Sequence, residues 1–199
     1  MKQIYIYGAS GHGLVVADIA YACGYEEVIF VDDGNNDFPC FADIALNTNI
    51  PIALGVGNNK IRKKLCEKAE TEGFRLATLM HPSSIVSLSA IIGKGSVVMP
   101  LAVVNANARI GDGAILNSGC IIEHECDIGD FVHISPNAAL AGNVSVGELT
   151  HIGIGSSVIQ GISIGLNSII GAGSVVIKDI GDFKKAYGNP CKEIGDIIE

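Results

Sequence analysis

Five residues are the first to weigh for chemistry: His124, His133 and His151, and the pair Asp32-Asp33. His124 lies in Glu123-His124-Glu125. An imidazole beside a carboxylate can act as a general base, because the anion holds the ring and favours its charged form. The same triplet would also suit a solvated polar corner. His133 and His151 are 18 residues apart. The other cluster is GASGHG at 8–13, which includes Ser10, Gly11 and His12. Glycines between a strand and a helix bring amide N–H groups and the helix dipole to face an anion. Without a ligand the same loop is a tight turn. Asp32 and Asp33 could accept hydrogen bonds from ribose or base, or simply form a solvated turn.

These residues must be placed by two different kinds of element. From Ser84 to Asp179 the chain divides into sixteen hexads with no insertion. The third residue of every hexad is aliphatic, from Val86 through Ile134 to Val176, and the first is Ser, Ala, Cys or Thr in thirteen. Neither a helix nor a single strand has this period. It fits a chain that turns a corner every six residues and sends one aliphatic side chain inward per side. Three sides close a coil, so residues 18 apart stack at the inter-strand spacing of roughly 4.8 Å. Coils of this kind are stable only by stacking on one another. His133 and His151 therefore lie one above the other, and His124 sits at a corner. Cys120 and Cys126 occupy small first positions and are expected to be buried.

Ahead of the hexads, 2–7 reads as a buried strand, 14–25 as a helix and 28–33 as a second strand ending in the aspartates. Residues 34–49 read as irregular, 51–56 as a third strand, 59–74 as a helix capped by Asn58 or Asn59, and 75–81 as a fourth strand. This is one Rossmann-like half. A full dinucleotide site uses two halves, so a mononucleotide or sugar nucleotide fits better than NAD. The sequence thus predicts an α/β domain over 1–80 followed by an all-β solenoid domain over 81–199, ending in a tail with a turn at Gly188-Asn189-Pro190.

The chain has 199 residues and a net charge of −8, which argues against a nucleic-acid partner. None of its six cysteines forms a CxxC pair. No signal peptide or membrane-length apolar run is found. A reduced, cytoplasmic protein without membrane insertion is the expectation.

The hexads resemble the left-handed parallel β-helix of the hexapeptide-repeat acyltransferases, and Gly188-Asn189-Pro190-Cys191-Lys192 resembles the tail of that superfamily. YGASGHG at 7–13, Asp32-Asp33, GNNKIRKK at 57–64, ILNSGCIIEHECDIG at 115–129 and AGN at 141–143 resemble its sugar-nucleotide subgroup, nearest the UDP-4-amino-sugar N-acetyltransferases of bacillosamine synthesis. The resemblance implies acetyl-CoA as co-substrate, no metal, and a homotrimer with active sites between subunits. It implies His124 as catalytic base, Glu125 as the neighbour that strengthens it, and the Gly142 N–H as donor to the thioester carbonyl. Ser10, Gly11, His12, Asp32, Asp33 and Gly57 are then the sugar-nucleotide contacts, with Asn117 near the amino sugar. His133, Ile154 and Ala172 match acetyl-CoA positions.

Rival readings remain open at this point. A sialic acid or other sugar O-acetyltransferase would use the same parts. A zinc enzyme like the γ-class carbonic anhydrases needs three histidines converging on one metal. A nicotinamide-dependent oxidoreductase is disfavoured by the single half-site, and a non-catalytic solenoid by the Glu-His-Glu corner.

Overall fold

The structure is a computed structural model and describes residues 1–198. The N-terminal unit is a small parallel sheet of β1 (Gln3–Tyr7), β2 (Glu27–Val31) and β3 (Ile52–Leu54), in the order β2-β1-β3. From Ile4 to Tyr7 β1 is buried on both faces, as a central parallel strand should be. α1 (Gly11–Ala22) crosses from β1 to β2, and α3 (Asn59–Thr71) leads from β3 to the solenoid. α3 begins where Asn58 accepts a hydrogen bond from the Ile61 N–H at 3.0 Å, a side-chain N-cap.

Three local expectations change. α1 starts at Gly11, so the last half of the glycine motif is the first turn of the helix. The irregular stretch after β2 contains α2 (Phe41–Ile44), whose Phe41 and Ile44 are buried in the same core as Tyr7. No fourth strand of the small sheet spans 75–81. Leu76 makes only an isolated bridge to Ile52, and Leu79–Met80 pairs with Val97–Val98 as the first rung of the solenoid.

The hexads form sixteen two-residue strands, one per hexad. They stack in parallel with partners 18 residues apart, as in Ile115↔His133, His133↔His151 and His151↔Ile169. The result is a three-sided parallel β-helix with faces of eight, six and five strands, the eight including Leu79–Met80 and the tail. Third-position aliphatics fill the interior, among them Val98, Ile110, Leu116, Ile122 and Ile134, with Cys120 and Cys126 buried at the corners. Corner residues such as Gly119, Glu125, Asn137 and Asn143 take φ near +60°. Only the first coil exposes its filling, where Val86 and Ile92 are partly buried because nothing stacks beneath them.

The last coil is closed by a hairpin of Lys184–Gly188 and Cys191–Asp196 around Asn189-Pro190. Ala186 and Cys191 from this hairpin join the solenoid core. On the eight-stranded face, Ile4, Ile6 and Val16 of the N-terminal unit share one core with Leu79, Val97, Met99 and Ile115. The two units are packed together through that face.

Candidate active site

His124 stands at the corner between the six-stranded and five-stranded faces. Its Nδ1 is 3.1 Å from Glu125 Oε2. Glu125 is the corner residue itself, at φ 61°, and that conformation swings its carboxylate back toward the ring. With Nδ1–H donating to the carboxylate, Nε2 keeps its lone pair for an incoming proton. Gly142, one coil further on, is packed against the imidazole. A Cβ at this position would lie 2.5 Å from His124 Cε1 and 2.6 Å from Nε2. The Gly142 carbonyl accepts from Gly161 N–H at 3.0 Å, while the Gly142 N–H enters no hydrogen bond among the described residues.

The glycine loop is assembled by close backbone approaches. Gly8 has φ +110°, and a Cβ on Gly13 would meet the Gly8 carbonyl oxygen. Only glycines allow this turn and this helix–strand contact. Ser10 is the N-cap residue of α1 but its side chain makes no capping bond. Ser10 and Gly11 are exposed, so the first N–H groups of the helix are open to an anion.

The aspartates are already partly engaged. Asp32 accepts from Ala9 N–H and Gly34 N–H, each at 2.8 Å, and from Asn36 Nδ2 at 3.0 Å. These backbone bonds hold its pKa below the usual range. Asp33 accepts from Lys68 Nζ and from Phe41 N–H, each at 2.8 Å, and from the Tyr7 hydroxyl. Burial opposes its charge, yet the Lys68 and Tyr7 bonds outweigh it and lower the pKa. A cleft of about 190 Å³ lies beside them, lined by Tyr7, Gly8, Val56, Ile61 and Leu65 as well as the pair.

Under this loop runs a column of imidazoles. The ring centroids of His12 and His133 are 6.4 Å apart, and those of His133 and His151 4.6 Å. Asn117 Oδ1 accepts from Ser118 N–H at 2.8 Å, so its Nδ2 is the atom that donates to His133 Nε2 at 3.0 Å. The proton of a neutral His133 is therefore on Nδ1. His133 Nδ1 and His12 Nε2 are both buried and without a hydrogen-bond partner. Burial pushes the pKa of His133 down to about 3 and that of His12 to about 4. His151, bonded to Ser135 Oγ at 2.8 Å, is also lowered by burial. Gly57 lies against His12, close enough that a Cβ would stand 3.9 Å from His12 Cγ.

The candidate residues thus fall into two groups. Ser10, Gly11, His12, Asp32, Asp33 and Gly57 gather on the N-terminal unit, above His133 and Asn117 of the eight-stranded face. Ile154 and Ala172 follow on the corner leading from that face to the six-stranded one, and both are exposed. His124, Glu125 and Gly142 form the second group, at the far edge of the six-stranded face. His124 is thereby separated from His133 and His151. Among the described residues, no group of three or more His, Cys, Asp or Glu is arranged to hold a metal ion.

Sequence reasoning missed Arg62. It is 1% exposed and hydrogen-bonds main-chain carbonyls of both units, Gly57 at 3.1 Å and Gly113 at 2.7 Å among them. Two signals pointed to it: both residues lie in the GNNKIRKK motif at 57–64, and the pattern Asn59-x-x-Arg62 places both polar side chains on one face of α3.

Comparison with known proteins agrees with this architecture. The family model described as the PglD N-terminal domain matches residues 3–69. The model described as bacterial transferase hexapeptide (six repeats) matches residues 89–124. The UDP-N-acetylbacillosamine N-acetyltransferase of Bacillus subtilis (strain 168) is 42% identical over 112 residues, 50% of this chain and 52% of that protein. The match therefore spans about half the length of that curated relative. The acetyltransferase domain of PglB from Neisseria gonorrhoeae FA1090 superposes with a TM-score of 0.91 at 41% identity, covering 98% of this chain and 100% of that one. A second structure of that domain is a complex with acetyl coenzyme A. A point mutant of perosamine N-acetyltransferase from Caulobacter crescentus, in complex with CoA and GDP-perosamine, superposes with a TM-score of 0.93 at 37% identity, covering 98% and 97% of the two chains. With so much of each solved chain matched at this identity, the chain belongs to the family of hexapeptide-repeat sugar N-acetyltransferases that carry a PglD N-terminal domain.

Proposed function

We propose that the chain transfers the acetyl group of acetyl-CoA to the 4-amino group of a UDP-linked 4-amino-4,6-dideoxy sugar, with His124 as general base. The observation that carries this reading is the corner where Glu125 holds His124 Nδ1 and the ring lies on Gly142. The sugar amine attacks the thioester carbonyl while His124 Nε2 takes the amine proton. The developing oxyanion accepts from the unengaged Gly142 N–H, the kind of donor such a transition state needs. The C–S bond then breaks, and the thiolate leaves as CoA after taking up the proton. The UDP preference follows the bacillosamine relative.

The N-terminal unit is the sugar-nucleotide half, with the diphosphate at the start of α1. Acetyl-CoA lies along the prism beside His133, Ile154 and Ala172. These groups and His124 flank opposite edges of the six-stranded face, whose six-residue side spans up to about 20 Å. One chain alone leaves the base far from both substrates. That face carries the exposed apolar residues Ile85 and Ile121, with Ile159 and Ile177 beside them. Packing it about a threefold axis buries them and brings the His124 corner of one copy to the Ile154 corner of the next. A homotrimer with shared active sites is the assembly this supports. No helix of the described residues is long and apolar enough to cross a membrane, and the cysteines are free, which suits a reducing cytoplasm.

The test is acetyl-CoA consumption against a panel of UDP- and GDP-linked amino sugars. A UDP-4-amino sugar should give the highest kcat/KM, and His124→Ala should lower kcat by about 10²–10⁴. Turnover of none of the panel, or wild-type kcat in His124→Ala, would overturn the reading.

A further inference from the structure

We infer that Arg62 is a positioning residue for the two-substrate site, clamping the sugar-nucleotide loop against the coils around His133. What binds there rests on the reading above, but the clamp stands on its own geometry.

Arg62 is the bulkiest fully buried side chain in the described structure. No carboxylate is among its hydrogen-bond partners, which are five main-chain carbonyls and one side-chain amide. Burying a guanidinium without a counter-ion is costly, and an apolar side chain would close the same seam more cheaply. Desolvation pushes its pKa down to about 9. The fork of donors is therefore the feature that needs a reason.

Its bonds supply one. Nη1 donates to Val56 and Gly57 at 3.2 and 3.1 Å, in the loop above His133. Nε donates to Gly113 at 2.7 Å and Nη2 to Phe131 at 2.8 Å. Nη2 also donates to Asn59 Oδ1 at 2.9 Å, and Asn59 Nδ2 donates to Leu149 at 2.9 Å. Gly113, Phe131 and Leu149 are 18 residues apart, the same corner on three successive coils, with φ of 59°, 54° and 62°. The first turn of α3 thus reads a ladder of three corner carbonyls. These bonds are lost on any displacement smaller than a coil, so the ladder holds the loop at one height on the prism, while the apolar contacts of Leu79, Val97, Met99 and Ile115, which differ from coil to coil, set which coil that is. The coil selected places His133, not Ile115, opposite His12 and Gly57.

The same charge faces the imidazole column. After burial, Arg62 contributes to the lowered pKa of His12, His133 and His151. It favours the neutral form of the two rings whose His133 Nδ1 and His12 Nε2 are buried without a partner.

The experiment uses the full chain with Arg62→Met, Arg62→Lys and Asn59→Ala. Each is measured for thermal stability, for KM of both substrates, and for the titration of its imidazoles by NMR. Arg62→Met should raise KM for the UDP-amino sugar by about 10–100-fold, the worth of a buried charged hydrogen-bond set. Its KM for acetyl-CoA should rise less than that for the sugar nucleotide, because Ile154 and Ala172 lie on a corner that Arg62 does not bond, and the His12 and His133 titrations should move up. Arg62→Lys should restore the titrations but only part of KM, since an ammonium cannot span the fork. Asn59→Ala should raise the sugar KM and leave the titrations alone. The inference is overturned if Arg62→Met shifts neither KM nor titration, or if both KM values rise together in step with lost stability. Should Arg62→Met fail to fold, Arg62→Lys with a wild-type sugar KM overturns it equally. If the wild-type chain acetylates no amino sugar, the functional reading fails, while the imidazole titrations still decide whether Arg62 acts on the column.

Discussion

The imidazole of His124 lies on the backbone of Gly142, with no room between them for a methyl group: a Cβ would be 2.5 Å from Cε1. Gly142 is buried beneath the ring, and residues 124 and 142 occupy the same place on successive coils. The glycine thus does two things. It provides the surface on which the imidazole rests, and its own N–H enters no hydrogen bond among the described residues.

Gly142→Ala separates these roles from folding. The clash is with an exposed side chain rather than with backbone, so the imidazole moves and the coil stays. The protein should fold with near-normal melting temperature. Displacing a base by about 1 Å costs about 10²-fold in rate, and kcat should fall by about that much with little change in either KM. Wild-type kcat would show that the ring position in the structure is not the catalytic one.

Acid stability follows from the imidazole column. The ordinary histidine pKa is 6.5, against about 4 for His12 and about 3 for His133 in the fold. Between pH 6.5 and these lower values the unfolded chain binds more protons than the folded one, so stability is full above 6.5 and is lost as pH falls. Each unit of difference is worth about 1.4 kcal/mol. Protonation would also set His12 and His133 against Arg62 and His151. Carboxylates with lowered pKa, such as Asp32, add their own loss in acid, so the informative quantity is a difference between proteins. Urea unfolding at pH 7 and pH 4.5 should show a smaller drop for His133→Gln than for wild type. An equal drop would mean that His133 is already charged in the folded state.

How much of this was legible in the sequence depends on the range of the forces involved. The solenoid was, because each inward residue from Val98 to Val176 is set by a local period that repeats. The stacking of His133 on His151 followed from the spacing of 18 alone. Leu79–Met80 was not: an apolar run shows that a strand is buried, not which sheet it joins, and here Val97–Val98 won it. The placement of Asp33 was legible, but not its salt bridge to Lys68, 35 residues away. Arg62 was hidden for a further reason. Its partners are main-chain carbonyls, which every residue has, so Gly113 and Phe131 carry no mark of it.

The core of the prism offers a direct test of the hexad register. Ile134 is fully buried, in the interior between Leu116 and Ile152. Ile134→Asp places a carboxylate among aliphatics with no partner, at a cost of several kcal/mol or of neutralising the group. The variant should be insoluble or unfolded, whereas Ile121→Ser, beside the inward Ile122 but itself facing outward, should fold. A soluble Ile134→Asp with an unchanged melting temperature would refute the register.

The assembly can be tested from the same face. Ile121 is 39% exposed on the six-stranded face, two residues before the Glu-His-Glu corner. Solvent tolerates a lysine there in a lone chain, so Ile121→Lys should fold and stack its coils normally. In a threefold assembly the same lysine would meet its copies near the axis, three like charges in a desolvated apolar seam. Light scattering should then report monomer for Ile121→Lys and trimer for wild type. Because one chain holds His124 on the opposite edge from Ile154 and the sugar-nucleotide loop, the monomer should lose acetyl transfer. Sugar-nucleotide binding, proposed above to rest mainly on the N-terminal unit, should persist within a few-fold. A fully active Ile121→Lys monomer would mean that each chain carries a complete site, and that the apolar face has another use.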